Sequence, residues 1–355
     1  MFNTLKLGRK QSQMFGLDIG SSAVKAIQLR TTDSGGVALA ALGIVNLPQD
    51  AISDGNVKDA ATVTSAITEA VTRAGITGTD AAISICGREL IIKKVQIPSV
   101  PAKELADAVQ LEAEHHIPFA IDEVFIDYHV VGEGGNTLDL ILVAVKKSKV
   151  MEYVTVVAEA GFNPVVVDVD SFALSNAFEV NGGDDDGDDA VALIDIGASF
   201  MKTNVMRNGA SIFARDIAFG GNQYTQAIAT RLGVDFERAE KAKLGRDPKV
   251  EWQSLSPAVE EISHELSLEV QRTFDYFAST AESERIGKIV LSGGCAQVPG
   301  LTDYLASNWG IPVELARPFE RISVAHQDAE EVGTAGAALA VAVGLGLRKA
   351  GDKRR

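Results

Sequence analysis

The chain has 355 residues, enough for about two domains at the usual size of a folding unit, and 46% of them are hydrophobic, ample for a buried core. Its 33 basic and 48 acidic residues give a net charge of −15, which argues against sequence-independent binding to nucleic acid or to an anionic membrane. Two cysteines, Cys86 and Cys295, exclude a disulfide framework and fit a reducing compartment. No apolar signal stretch follows the basic start, and the most apolar late run, 334–347, is too short and too rich in Gly and Ala to span a bilayer, so a soluble cytosolic chain is expected.

Residues 1–13 lack periodicity and read as a mobile tail. Residues 14–29 give two strands of a hairpin, 37–47 a third ended by Pro48, and Val63, Ile67, Ala70, Val71 and Ala74 a helix stopped by Gly75. A short buried strand follows at 81–86. Between 87 and 162 the character changes: an alternating strand (Ile91, Val95, Ile97), a helix over 102–116 opened by Pro101, strands at 125–131 and 138–145, and a helix over 148–160. This stretch reads as a small α+β unit inserted into the first half. A strand at 165–169 and a short helix at 171–178 lead to an acidic loop, 182–189, a solvated segment rather than a calcium loop, because Asp189 stands where the sixth-position Gly is required.

The second half opens with another hairpin. Further expected elements are a strand at 212–217, a helix over 222–232, and a helix capped by Asp235 and closed by Gly245. Ser256-Pro257 opens a long helix with the stripe Val259, Ile262, Leu266, Val270, Phe274 and Phe277, which reads as core. A buried strand at 288–291, a helix with Leu301, Tyr304 and Leu305, a strand at 313–315, a small-residue helix over 332–345 and a basic tail complete the chain.

Three Gly-rich elements each follow an apolar strand. FGLDIGSSAVK (15–25) and LIDIGASFM (193–201) place an Asp at the strand end and a turn of small residues after it. Such turns can converge backbone N–H groups on a phosphate, and two of them suggest related halves gripping one polyphosphate. The third, LSGGCAQVPG (291–300), reads as a strand–Gly-Gly–helix junction where a flat base can lie on bare backbone. Glu240 and Lys243 share one helix face, within reach of ribose and base.

With FGG (219–221), AEKAK (239–243) and the insert sequence QIPSVPAKELADAVQLEAEHHIPFAIDEVFIDYHVV, this set resembles the actin/Hsp70/sugar-kinase ATPase superfamily and, within it, the PilM family of the type IV pilus machine. The resemblance implies an α/β, actin-like (ribonuclease H-like) two-lobed fold with an inserted small α+β subdomain shared with FtsA. It implies a tail at 1–13, a first lobe at 14–86, the insert at 87–162, a first-lobe return with the acidic loop at 163–189, and a second lobe at 190–219 and 287–331. A cap at 220–286 and a C-terminal helix with tail at 332–355 complete the division.

The implied ligands are ATP or ADP and Mg²⁺. Asp18 and Asp195 would hold Mg²⁺ through water, and Gly20, Ser21, Ser22 and Lys25 would hold phosphate if Lys25 turns inward. Gly197, Ala198 and Ser199 form the second phosphate turn, Gly220 and Gly221 support it, Gly293 and Gly294 face adenosine, and Glu240 and Lys243 close over it. The implied partner is the cytoplasmic N-terminal peptide of PilN, docked between first lobe and insert. Pilus motor ATPases, platform proteins and a second copy are further partners, nucleic acid is not, and membrane association is indirect. No residue outside the phosphate turns offers itself to orient an attacking water: Glu112 lies elsewhere, and Asp168 and Asp170 read as caps. Slow hydrolysis at most is expected. A sugar-kinase reading lacks a sugar-site run of polar residues, and an FtsA-like reading lacks an apolar face in 348–355. Glu112, His115 and His116 have ligand-like spacing but sit at a helix end, where His suits the dipole.

Overall fold

The computed structural model describes residues 14–183, 189–280 and 284–351. The tail, most of the acidic loop and the last residues of the chain lie outside the described residues. The first lobe begins with β1 (Phe15–Ile19), β2 (Ala23–Thr31) and β3 (Val37–Asn46). The small hairpin β4 (Ile52–Ser53) and β5 (Asn56–Val57), helix α1 (Ala60–Ala74) and strand β6 (Asp80–Ile85) follow. Asp59 caps α1 by accepting from the Thr62 N–H, and Gly75 ends it in the left-handed conformation. The insert is β7 (Leu90–Pro98), α2 (Leu105–His116), β8 (Val124–Gly134) and β9 (Thr137–Lys146), followed by α3 (Lys147–Glu159), β10 (Asn163–Val169) and α4 (Asp170–Val180). The helix expected from 102 starts at Leu105, because Glu104 N–H closes a turn on the Pro101 carbonyl first.

The second lobe holds β11 (Ala190–Ile196), β12 (Met201–Arg207) and β13 (Ala210–Ile217). Helices α5 (Gly221–Leu232), α6 (Phe236–Lys243) and α7 (Trp252–Thr280) follow, then β14 (Ile286–Ser292), α8 (Leu301–Trp309) and β15 (Val313–Leu315). The chain closes with β16 (Ile322–Ser323), α9 (Ala329–Ala335) and α10 (Ala340–Gly346). Helix α7 starts before Pro257, not at it. The carbonyl of Gln253, deprived of a partner by the proline, accepts from the Ser256 hydroxyl at 3.2 Å.

The two sheets repeat one plan. The first runs β10-β6-β1-β2-β3-β16 and the second β13-β12-β11-β14-β15. In each, an antiparallel meander (β1–β2–β3, β11–β12–β13) carries parallel strands on its first member, β6 then β10 in one lobe and β14 then β15 in the other. Each lobe has its own core: Phe15, Leu17, Val63, Ile67 and Ile83 in the first, Ile194, Tyr224, Leu266, Phe277 and Leu291 in the second. The insert packs a third around Val109, Leu140 and Leu142. Helix α3, read with the insert, buries Tyr153, Val156 and Val157 in the first-lobe core instead.

Helix α4 ties the lobes together, resting on α10 so closely that a Cβ at Gly344 would run into the Ala173 backbone. The late small-residue helix is broken in two at Gly336, whose φ is +47°. The helical run His326–Gly346 has 21 residues and a mean hydropathy of 1.2, long and apolar enough to cross a membrane by length and composition, which is longer than the sequence reading allowed. Within the molecule 44% of that window is buried, its apolar side chains supplying the core between α4 and β1.

Candidate functional site

A cleft of about 620 Å³ opens between the lobes. Asp18, Gly20, Ser21, Ser22 and Lys25 line it from the first hairpin, and Asp195, Gly197, Ala198 and Ser199 from the second. Gly221, Glu240, Lys243, Gly293 and Gly294 complete the set, so fourteen of the fifteen sequence-selected residues share one cavity. The exception is Gly220, which braces the wall from behind. A Cβ there would stand 2.6 Å from the carbonyl oxygens of Gly197 and Ala198. The next two N–H groups, of Gly221 and Asn222, donate to those same carbonyls at 2.8 and 2.9 Å.

The two turns are built alike. Gly20 N–H donates to the Ala23 carbonyl at 3.0 Å, and Gly197 N–H to the Phe200 carbonyl at 3.0 Å. Asp18 faces Lys25 in register across β1 and β2, and Asp195 faces Lys202 across β11 and β12. Lys25 turns inward and bonds Asp18 at 2.7 Å, which answers the question period-two alternation left open. Lys202 was not selected from sequence. It donates to Asp195 at 2.9 Å and stands 3.3 Å from Asp170. The signal was available: extending the repeat by one residue gives DIGSSAVK against DIGASFMK, with the Asp-to-Lys spacing conserved between halves.

These charges are buried and set one another. Burial pushes Asp18 above the usual carboxylate value, opposed by Lys25. Burial would do the same to Asp195, but Lys202, with help from Lys25 and the Ser292 hydroxyl, holds it below. Burial opposes the Lys202 charge, yet Asp195 and Asp170 hold that ammonium well above its usual value. Asp170 is therefore not a mere cap: it opens α4 inside the cleft and engages Lys202. Asp168, the other expected cap, accepts from the Val169 N–H and pairs with Arg348. Glu112 lies on the insert and pairs with His116 at 2.8 Å.

At the far end of the cleft, Lys243 is buried and donates to Glu240 (2.6 Å), the Thr225 hydroxyl (3.0 Å) and the Gly221 carbonyl (3.3 Å). It is a strut that fixes Glu240, which also accepts from Thr225 at 2.5 Å. After Gly293-Gly294 comes a single 3₁₀ turn, Cys295–Gln297, and α8 begins only at Leu301, so no α-helix N-terminus stands at the Gly pair as expected. Cys86, read as a small buried hydrophobe, is half-buried and lines the cleft, whereas Cys295 is buried as expected. Sequence reasoning also missed Arg246 and Gln297, which join the second lobe to the carbonyls of Thr334 and Ala335.

The model of the family described as type IV pilus assembly protein PilM matches residues 16–350. The chain belongs to the PilM family. A solved PilM–PilN type IV pilus biogenesis complex superposes on this family member with a TM-score of 0.84 at 26% identity, over 95% of this chain and 98% of that one. The ethanolamine utilization protein EutJ of Carboxydothermus hydrogenoformans shares the fold at TM-score 0.56 and 16% identity, covering 94% and 89%. MreB5 of Spiroplasma citri bound to ADP does so at 0.50 and 12%, covering 93% and 94%. EutJ of Escherichia coli (strain K12) is 24% identical over 115 residues, 32% of this chain, and the match spans only 37% of that protein's length. The fold of this PilM-family chain is the actin-like two-lobed ATPase fold.

A magnesium site was expected on Asp18 and Asp195. Each of these carboxylates is paired with a lysine ammonium, and Asp195 also accepts from the Ser292 hydroxyl at 3.0 Å. Among the described residues no group of three His, Cys, Asp or Glu side chains is placed to hold a metal ion. A magnesium ion held through its waters needs only one or two carboxylates beside the phosphates, and each carboxylate oxygen has two lone-pair sites, so Asp18 and Asp195 fit that role.

Proposed function

We propose that this chain is a cytoplasmic, nucleotide-binding scaffold of the type IV pilus assembly machinery, held at the inner membrane through its partners. ATP or ADP lies in the interlobe cleft, and the cytoplasmic N-terminal peptide of PilN docks between first lobe and insert. The observation that carries the nucleotide reading is the convergence of two like Asp-Gly turns and the Gly293-Gly294 pair on one cavity. Polyphosphate spans the turns, where Gly20–Ser22 and Gly197–Ser199 offer backbone N–H groups and hydroxyls. The adenosine lies against Gly293 and Gly294, and Glu240, fixed by Lys243 and Thr225, accepts from ribose hydroxyls. The solved complex named above supports PilN as the partner. The insert and the neighbouring α3 present exposed Leu111, Phe125 and Met151, apolar material suited to a peptide.

The nucleotide acts here chiefly as a conformational ligand. Asp170, the cleft carboxylate outside the two hairpins nearest the phosphate end, is engaged by Lys202 rather than open to orient a water, which supports slow turnover at most. A ligand gripping both lobes shifts the closed population only by its preference for that form. The test is calorimetric titration of ADP and ATP, and of a PilN N-terminal peptide with and without nucleotide, into the full chain and Asp195→Ala. We expect the variant to bind nucleotide about tenfold or more weakly and to lose the effect of nucleotide on peptide affinity. Unchanged nucleotide binding by Asp195→Ala would refute the placement of the phosphates.

A further inference from the structure

We propose that Phe200 and Asp216 form a latch from the second lobe onto the root of the insert, through which nucleotide in the cleft and peptide at the insert bias one another's binding. The inference rests on the nucleotide and partner readings given above. Its first support is a difference between the two hairpins. Gly20 N–H closes its turn on the Ala23 carbonyl and Gly197 N–H closes its turn on the Phe200 carbonyl, both at 3.0 Å. That bond uses only backbone, and an alanine suffices for it in the first lobe. The aromatic side chain of the second turn is surplus to the turn itself.

The second support is where that side chain goes. Phe200 is buried, yet among the described residues it joins none of the hydrophobic clusters that fill the lobes and the insert. It stands at the wall of the cleft, and its ring crosses to the first lobe against two glycines. A Cβ on Gly55, in the β4–β5 turn, would lie 3.4 Å from the ring, and one on Gly87, where the chain leaves β6 for the insert, 3.6 Å. Gly87 has a φ of +115°, a conformation that favours glycine. Helix α3 fixes the Gly55 wall. Lys149 and the Tyr153 hydroxyl donate to the Gly55 carbonyl, the latter at 2.9 Å, and Glu152 accepts from the Val57 N–H. The seat of the ring is thus tied to α3 and to the insert, which carry the exposed Met151, Leu111 and Phe125.

The third support is a second contact on the same glycine. Asp216, on β13, accepts from the Gly87 N–H at 2.8 Å, and β13 packs along β7. Two side chains of the second lobe therefore converge on the residue at which the insert begins. Entry and exit of the insert are joined there, because Lys146 N–H donates to the Glu89 carbonyl at 3.2 Å. Whatever fixes the second phosphate turn fixes Phe200 in its seat, and linkage requires the peptide to act back on the nucleotide by the same factor.

The test is calorimetric titration of the PilN N-terminal peptide into the full chain, with and without saturating ADP, for wild type, Phe200→Ala and Asp216→Ala. A thermal melt verifies folding. Phe200→Ala gives the second turn the residue of the first, and Asp216→Ala removes the Gly87 contact from outside the cleft lining. We expect ADP to change the wild-type peptide Kd about fivefold or more, and to change it less than about twofold in either variant. A change of wild-type size in folded Phe200→Ala, or in Asp216→Ala should the first variant not fold, would overturn the latch. A wild type that binds ADP and peptide, with the peptide Kd unmoved by ADP, would overturn the inference and leave the nucleotide reading intact. Absence of ADP binding or of peptide binding by the wild type would overturn the inference together with the reading it rests on.

Discussion

The hairpins of the first and second lobe share a motif, a turn hydrogen bond and a cross-strand Asp–Lys register, yet their aspartates shift in opposite directions. Asp18 is pushed up and Asp195 is held down. Both are buried, so burial alone does not separate them. The difference lies in company: Asp18 has Lys25, whereas Asp195 has Lys202 and Ser292, in a cluster that also draws in Asp170. A repeated sequence thus supplies a repeated backbone, and the neighbours arriving from elsewhere in the chain decide its electrostatics.

Removing the two lysines should expose that difference most strongly. Lys202→Met leaves Asp195 and Asp170 buried without their cation and should cost about 3–5 kcal/mol in chemical denaturation. Lys25→Met should cost less, since it strands one carboxylate, Asp18, where Lys202→Met strands two. Equal losses would show the two pairs to be equivalent. Next in size, Ser292→Ala removes a hydrogen bond to a charged, buried carboxylate and should cost about 1.5–3 kcal/mol. It should also raise the Asp195 pKa, which carbon-detected NMR of the side chain would follow.

The turns themselves can be compared with glycine substitutions. Gly220→Ala forces a methyl against the carbonyls of the second turn and should destabilise by about 1–3 kcal/mol. Gly20→Ala meets the Ala23 carbonyl oxygen at 3.3 Å and the Asp18 carboxylate at 3.9 Å and should stay within about 0.5 kcal/mol. The least intrusive test uses Asp216, which accepts from the Gly87 N–H at 2.8 Å and faces Lys202 in register without receiving its ammonium. Burial raises it to about 7. The folded state then holds this proton more tightly than the unfolded chain, so its contribution is full below the ordinary carboxylate range and is lost as pH rises through about 7. Asp216→Asn should flatten that decline in a melting-temperature series. A decline of unchanged slope would assign it to another group.

How much of this was legible beforehand follows from the range of each interaction. The hairpins, α1, α5, α6 and the cleft glycines are written in local patterns: an Asp before small residues, an apolar stripe at helical spacing, a cap and a left-handed Gly. These depend on the chain within a few residues, and the sequence carries them. The two-lobed plan with its insert followed from the repeated motif and its resemblance, whereas the order of strands in each sheet came from the structure. Other features were settled by contacts between distant segments. Packing assigned α3 to the first-lobe core, because it packs on α1 and Tyr153, Val156 and Val157 join the cluster that holds Phe15 and Leu17. The backbone turn at Gly336, with its φ of +47°, splits the late helix.

What the sequence alone determined was the pair of Asp-Gly turns, the insert and hence the family, since each is a short pattern with a local physical cause. What only the tertiary structure decided was the pairing of the charges in the cleft. Lys202 is one residue of a strand until β11, β13 and α4 surround it with carboxylates, and the fields of buried ions depend on distances that no local pattern encodes.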